Sequence, residues 1–288
     1  AAHTMPDPES FALVLALLFE LRRAWLFGED AVGLERHSMI GNGSSTALLT
    51  PDAKVCWMSH PLPDSGSIFA HILGGEPAGH FSIEPVKASQ VLAQRYVDNT
   101  MIVETRWADV TVTDYLEPAP EGITSLVRVL SGTGTARVVF APRPDYANAP
   151  FSMEIRGDEV HIMGTSDPII LSAPGVQFRI SSDGKYATAT AEVPLHHGPV
   201  VLNLRCGDTE PLPADPAGEP NRRAGVGRSS REWIKALQLP TIKTSLVRRS
   251  ALVLKSLVHE PTGAVLAAPT TSLPEGIGGT RNWDYRYC

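Results

Sequence analysis

Hydrophobic and polar positions alternate with period two through the middle of the chain. Met101, Val103, Thr105 and Trp107 share one parity, and Ile102, Glu104 and Arg106 the other, the pattern of a strand with one buried face. Val110 and Val112 alternate with Thr111 and Thr113 in the next strand. Residues 46–49 and 55–58 flank a turn at Pro51-Asp52, and Gly132-Thr133-Gly134 joins β-rich runs at 126–130 and 136–141. Gly157-Asp158 and Asp183-Gly184 mark further hairpins, and residues 200–204 make a last strand. Many short strands with turn signals between residues 40 and 205 predict a mainly β fold, an antiparallel sandwich. The pattern defines the class and leaves strand order open. On these strands Asp114 and Glu104 read as solvated face charges, and Trp57, Phe69 and Trp107 as core.

Helical grammar flanks the strands. Asp7 can cap, Pro8 suits a first helical position, and Glu9 favours the positive end of the helix dipole. Phe11, Val14, Leu15 and Leu18 then form a stripe, predicting a helix over residues 7–26. Residues 207–227 hold Pro211, Pro213, Pro216, Pro220 and several glycines, a composition that reads as linker and neither sheet nor helix. Beyond it Leu246, Val247, Ser250, Ala251, Leu254 and Leu257 fall on one helical face before the stop Pro261-Thr262-Gly263. The expected organisation is a terminal helix over 1–36, a sandwich over 37–206, a linker over 207–240 and a separate helical segment over 241–288.

Composition narrows the partners. The 288 residues are 43% hydrophobic and 19% charged, with net charge −6. A slightly acidic chain lacks the concentrated basic face that nucleic acid or an anionic membrane requires. The densest basic stretch, Arg222-Arg223 with Arg228 and Arg231, reads as solvated linker. Cys56, Cys206 and Cys288 are too few and too scattered for a disulfide framework, so reduced buried thiols and a cytoplasmic location are expected. His196-His197 has no companion ligands in sequence, so no zinc site is expected. The apolar run at 11–19 is about half a membrane span, with acidic residues before it and Arg22-Arg23 after, the reverse of a secretory signal.

Two stretches carry a resemblance. Residues 248–288, RRSALVLKSLVHEPTGAVLAAPTTSLPEGIGGTRNWDYRYC, resemble the start of the barrel in bacterial and archaeal glycoside hydrolases of family 15, the glucoamylase, glucodextranase and trehalase group. Residues 40–75, IGNGSSTALLTPDAKVCWMSHPLPDSGSIFAHILGG, resemble the opening of that family's N-terminal sandwich, with Ser59-His60 as a departure. Residues 1–26 are similar to the last helix of trehalose-6-phosphate phosphatases, which suggests a parent fused to such a domain and tilts the substrate toward trehalose.

The family resemblance implies a super-β-sandwich joined by a helical linker to an (α/α)6 barrel that begins near residue 241, and inverting hydrolysis of α-glucosidic bonds in trehalose or maltooligosaccharide. Inversion uses one carboxyl to protonate the leaving oxygen and a second to activate water. In the family both are glutamates deep in the barrel, so the expectation is a chain without catalytic residues, partnered by the missing barrel and requiring no cofactor. Tyr285 falls where the family places an aromatic ring against the terminal glucose, a fit of apolar ring to sugar C–H face. Trp283 and Arg281 complete this substrate-binding edge as supports of the barrel wall. Glu275 lies outside the family's catalytic positions. Asp64 and Ser65 belong either to the barrel rim or to a turn cap. The competing reading is a non-catalytic carbohydrate-binding or interaction sandwich, which an exposed row of aromatics would mark. Without the rest of the barrel, Leu246, Leu254 and the aromatic cluster at 283–287 are expected to leave an apolar patch.

Overall fold

The structure, a computed structural model, describes residues 32–209 and 215–273. The chain divides into two units, residues 1–37 and 38–288. In the first, the described residues form one 3-10 turn, Leu34–Arg36, closed by Arg36 N–H donating to the Gly33 carbonyl at 3.0 Å. The helix expected over residues 7–26 lies outside the described residues.

The second unit contains a sandwich of two antiparallel sheets. One carries β1 (Ser38–Gly41), β2 (Thr46–Leu49), β3 (Val55–Ser59), β5 (His80–Pro85), β10 (Thr135–Ala141), β15 (Ala187–Pro194) and β14 (Arg179–Ser182) in that spatial order, with β4 (Ser67–Phe69) paired to β3. The other runs β11 (Ser152–Arg156), β12 (Glu159–Met163), β13 (Ile169–Ser172), β16 (Val200–Cys206), β9 (Thr124–Gly132), β8 (Val110–Leu116), β7 (Val103–Arg106) and β6 (Ala93–Tyr96). Every strand run and turn read from the sequence is present. The β9–β10 corner shows why glycine stands at 132: its φ is +138°, and a Cβ there would lie 2.1 Å from the Asp109 carbonyl oxygen.

Strand parity sorts the side chains. In β15, Ala187, Ala189, Ala191 and Val193 point inward while the residues between them reach toward solvent. In β9, Leu126 and Leu130 enter the core between the sheets, whereas Val127 and Val129 face outward into a second apolar layer with Tyr115, Val201 and Val226. That outer layer exists because helices cover the sheets. The expected linker is a helix over Glu219–Lys235, against the reading of 207–227 as neither helix nor sheet. Pro220 sits in its first turn, where the missing N–H costs nothing, and the rest is held by tertiary contact and not by propensity. Tyr115 Oη donates to Glu219 Oε1 at 3.0 Å, Arg222 Nε reaches Glu117 Oε1 at 3.0 Å, and Arg223 Nε reaches Glu219 Oε1 at 3.2 Å. Arg222 and Arg223 are therefore helix clamps, correcting their reading as solvated linker.

The helix expected near residue 250 spans Thr244–Leu257, but its buried face is Leu252, Ser256 and Leu257, while Leu246 and Leu254 are 60% and 58% exposed. Arginine contacts accompany this rotation: Arg249 donates to the Thr100 carbonyl at 2.7 Å and stacks 3.6 Å above the Tyr96 ring, and Arg248 reaches Asn99 Oδ1 at 3.2 Å. Leu246 and Leu254 are exposed, as is Ile242; the aromatic cluster at 283–287 expected to join them lies outside the described residues. No helix among the described residues is long and apolar enough to cross a membrane.

The inter-sheet core also holds an ion pair. Asp114 of β8 and Arg128 of β9 are direct cross-strand partners, both fully buried, with Arg128 Nε 2.7 Å from Asp114 Oδ1. Arg128 further donates to the carbonyls of Phe81 at 2.5 Å and Ala53, and its guanidinium lies 4.7 Å from the Phe81 ring. Asp114 is thus interior, correcting its reading as a solvated charge: it shares the inward parity of Val110 and Val112. Glu104 does lie on an outer face, paired with Arg95 at 3.0 Å.

An isolated buried charge is far more costly than a matched pair. Asp114→Asn or Arg128→Met alone is expected to lower unfolding free energy by about 3–5 kcal/mol in urea titration. The double substitution is expected to recover part of that loss. Additive losses in the double variant would show that the two groups are not coupled.

Candidate functional site

Arg281, Trp283, Tyr285 and Glu275 lie outside the described residues. What the structure describes is the end of the sandwich along which the chain runs before reaching them. The hairpin Val258–His259 with Ala264–Val265 docks on the β1–β2 turn, Glu260 N–H donating to the Gly43 carbonyl at 2.9 Å. The following residues cross β3, where Trp57 Nε1 donates to the Pro269 carbonyl at 2.8 Å. Ser272 is then fixed by Tyr146, whose Oη lies 2.9 Å from its carbonyl oxygen and 2.8 Å from its Oγ; Ser59 Oγ is 3.4 Å from the same Oγ.

A cavity of about 390 Å³ opens between this hairpin and two loops, lined by Leu62, Pro63, Asp64, Glu121, His259 and Leu266 among others. Asp64 and Ser65 do different things there. Ser65 closes the turn, its N–H donating to the Leu62 carbonyl at 3.0 Å while its Oγ accepts from Leu62 N–H at 3.2 Å. Asp64 is exposed and lines the cavity. Its carboxylate and that of Glu121 are both exposed, whereas a catalytic carboxyl pair is enclosed by the pocket that buries its substrate. His259 is engaged with Thr262 Oγ1 at 2.9 Å.

Behind the cavity His60 joins a buried polar chain. Its Nδ1 lies 3.2 Å from Thr124 Oγ1, which is 2.9 Å from Ser45 Oγ, and its Nε2 is 3.8 Å from Asp167. The residue types are those of a hydrolytic triad, but Thr124 is fully buried and Ser45 nearly so, leaving no room for substrate at either hydroxyl. The chain is structural. Burial pushes the His60 imidazole down to about 4, against the opposing pull of Asp167. At the start of β5, His80 is likewise pushed down to about 4 by burial, although Glu76 Oε2 lies 3.1 Å away.

Among the described residues, no group of three or more His, Cys, Asp or Glu is arranged to hold a metal ion. Cys56 and Cys206 are buried free thiols, as expected, and burial pushes the Cys56 thiol up to about 12, so neither is a ready nucleophile. Trp57, Phe69 and Trp107 are all buried, and no aromatic stands among the exposed large apolar side chains. The aromatic row that would mark a sugar-binding sandwich is absent from the described surface.

The two buried histidines set an acid limit on stability. Both are neutral when folded, while the unfolded imidazole ionises near its ordinary 6.5, so unfolding takes up protons between about pH 6.5 and 4. Stability is full above that window and falls as pH drops through it, by roughly 2–3 kcal/mol for each fully buried imidazole. Urea titrations at pH 7 and pH 4.5 are expected to show this loss, and His60→Gln to reduce it. An unchanged pH slope in the variant would remove His60 from the account.

Comparison with known proteins follows the same outline. The family described as trehalase-like, N-terminal matches residues 20–231. A trehalase of Mycolicibacterium smegmatis is 31% identical over 87% of this chain and 42% of its own length. A trehalase of Mycobacterium tuberculosis is 30% identical over 87% of this chain and 41% of its own. Trehalase 2 of Sulfolobus acidocaldarius is 27% identical over 87% of this chain and 43% of its own. The chain thus spans about two fifths of the length of the curated relatives it matches. With its paired antiparallel sheets and a match covering well over half its residues, the chain belongs to the trehalase-like N-terminal family.

Proposed function

We propose that this chain is the N-terminal part of an inverting α-glucoside hydrolase of glycoside hydrolase family 15, with trehalose as the preferred substrate and maltooligosaccharide as the alternative. The observation that carries the reading is the match to a trehalase-like N-terminal family, joined by relatives that are themselves trehalases. The sandwich braces and shields, and the chemistry belongs to a catalytic barrel that the chain partners. In that reading one carboxyl protonates the glycosidic oxygen as the bond breaks, the other takes a proton from the attacking water, and both are supplied by the barrel. No cofactor is needed for such a step.

Within this chain the sugar-contacting edge is Arg281, Trp283 and Tyr285. Tyr285 offers its ring to the terminal glucose, and Trp283 and Arg281 support it. The buried aromatics of the sandwich favour this division of labour over a separate carbohydrate-binding surface.

The test is glucose release from trehalose, maltose and a longer α-glucan, by this chain and by the chain extended through its barrel. Activity of the extended protein alone, highest on trehalose, is expected. Hydrolysis by residues 1–288 alone would place the catalytic carboxyls inside them and overturn the division. In the extended enzyme Tyr285→Ala is expected to lower kcat/KM for trehalose about tenfold, the scale of one lost aromatic contact. Unchanged kinetics would remove Tyr285 from the sugar site.

A further inference from the structure

The Glu219–Lys235 helix, the Thr244–Leu257 helix, the β1–β2 turn and the end of β8 together line a cavity of about 190 Å³. Its floor is apolar and buried, made of Met101, Leu116 and Leu252. Its polar lining is Ser229 and Ser230 from the first helix, Lys255 and Ser256 from the second, and Glu260 beyond it. One positive and one negative charge cancel, so the cavity is neutral and rich in hydroxyl groups.

Two glycines let the walls come this close. A Cβ at Gly41 would lie 2.8 Å from the Ser256 Cβ, and one at Gly43, where φ is +89°, would lie 2.8 Å from the Glu260 Cγ. Glu260 N–H donates to the Gly43 carbonyl at 2.9 Å, which ties the root of that side chain to the turn. Lys255 rests against Trp233, its Nζ 5.3 Å from the ring.

The hydrogen-bonding capacity left over is specific. Ser256 Oγ donates to the Leu252 carbonyl at 2.9 Å and Ser230 Oγ to the Val226 carbonyl at 3.3 Å, so each has only acceptor capacity left. The Ser229 hydroxyl, the Lys255 ammonium and the Glu260 carboxylate make no hydrogen bond or ion pair with any described residue. Two opposite charges thus line one cavity without closing on each other. The site offers a charged donor, a charged acceptor and three hydroxyls above an apolar floor. A ligand hydroxyl both donates and accepts, so it can meet every one of these groups, and the contacts to the charges are the strong ones. A zwitterion would pair the two charges and leave the serines without a role. Drug-sized ligands occupy pockets of about 300 Å³ or more, so this one suits a smaller molecule.

We propose that this cavity binds one small, neutral, polyhydroxylated molecule of about the size of a monosaccharide. Such a pocket takes a single molecule, unlike the aromatic row that would hold a polymer chain. The assignment does not depend on which bond the longer protein hydrolyses.

The experiment is an NMR titration of the isotope-labelled 288-residue chain with D-glucose, followed through backbone amide shifts. Saturable shifts confined to residues 41–43, 229–230 and 255–260 are expected, with a Kd on the order of millimolar, because few contacts must offset the entropy of association. Lys255→Met and Glu260→Gln are each expected to raise Kd about tenfold, the scale of one hydrogen bond to a charged group. Glu192→Gln, on β15 and outside the lining, is expected to leave Kd unchanged. Shifts that grow without saturating, or a wild-type Kd in either charge variant, would overturn the proposal. Tighter binding of glycine than of glucose would overturn it as well, by making the site one for zwitterions. Should a charge variant fail to fold, Ser229→Leu at its exposed position fills the cavity instead: lost saturation supports the proposal and an unchanged Kd overturns it.

Discussion

Everything in the sandwich is arranged around one charge that cannot be given up. Arg128 lies fully buried between the sheets with a guanidinium that only donates, so the interior must supply acceptors for it. Asp114 neutralises it from the adjacent strand, and the carbonyls of Phe81 in the opposite sheet and Ala53 in that sheet's β2–β3 turn accept from it. The contact is therefore a bolt through both layers and not a local cross-strand pair. It also sets register. Sliding β8 by one residue against β9 would turn Asp114 to the outer face and strand the guanidinium in apolar surroundings, a penalty that the neighbouring valines could not offset.

The outer faces depend on a second constraint. Val127, Val129 and Tyr115 face away from the core, and a sheet surface of that composition needs a cover. The Glu219–Lys235 helix provides it through Val226 and through carboxylate and guanidinium contacts at its first turn. Its sequence has poor helix propensity, with Gly225 and Gly227 in the interior, so it is a helix because it has something to lie on.

How much of this was legible follows from what each signal measures. Strand parity and turn chemistry are local, so the hairpins at Gly132, Gly157 and Asp183 stood out in the sequence. Parity also marked Asp114 as interior, two residues beyond Val112, but residue type pointed to solvent, and the partner was fourteen residues away among leucines and valines. The Thr244–Leu257 helix was legible and its buried face was not, because apolar spacing does not register arginines such as Arg248 and Arg249, whose heads engage the β6–β7 corner. Proline and glycine content over 207–227 argued against the helix that begins at Glu219. Tyr146, whose backbone is left-handed at φ 55°, carried no signal at all, because left-handed turns announce themselves through glycine or asparagine. Residues 281, 283 and 285 were reached through resemblance alone.

The central claim is that this sandwich serves an inverting hydrolase of trehalose, and the stereochemistry of the products tests it most directly. Both glycosidic linkages of trehalose are α, so an inverting attack at one anomeric carbon releases one β-glucose and leaves the other sugar as α-glucose. Proton NMR of the extended enzyme's products, recorded before mutarotation, is predicted to show the two anomers in equal amount from the first turnovers. Release of α-glucose alone would mean retention and would contradict the account.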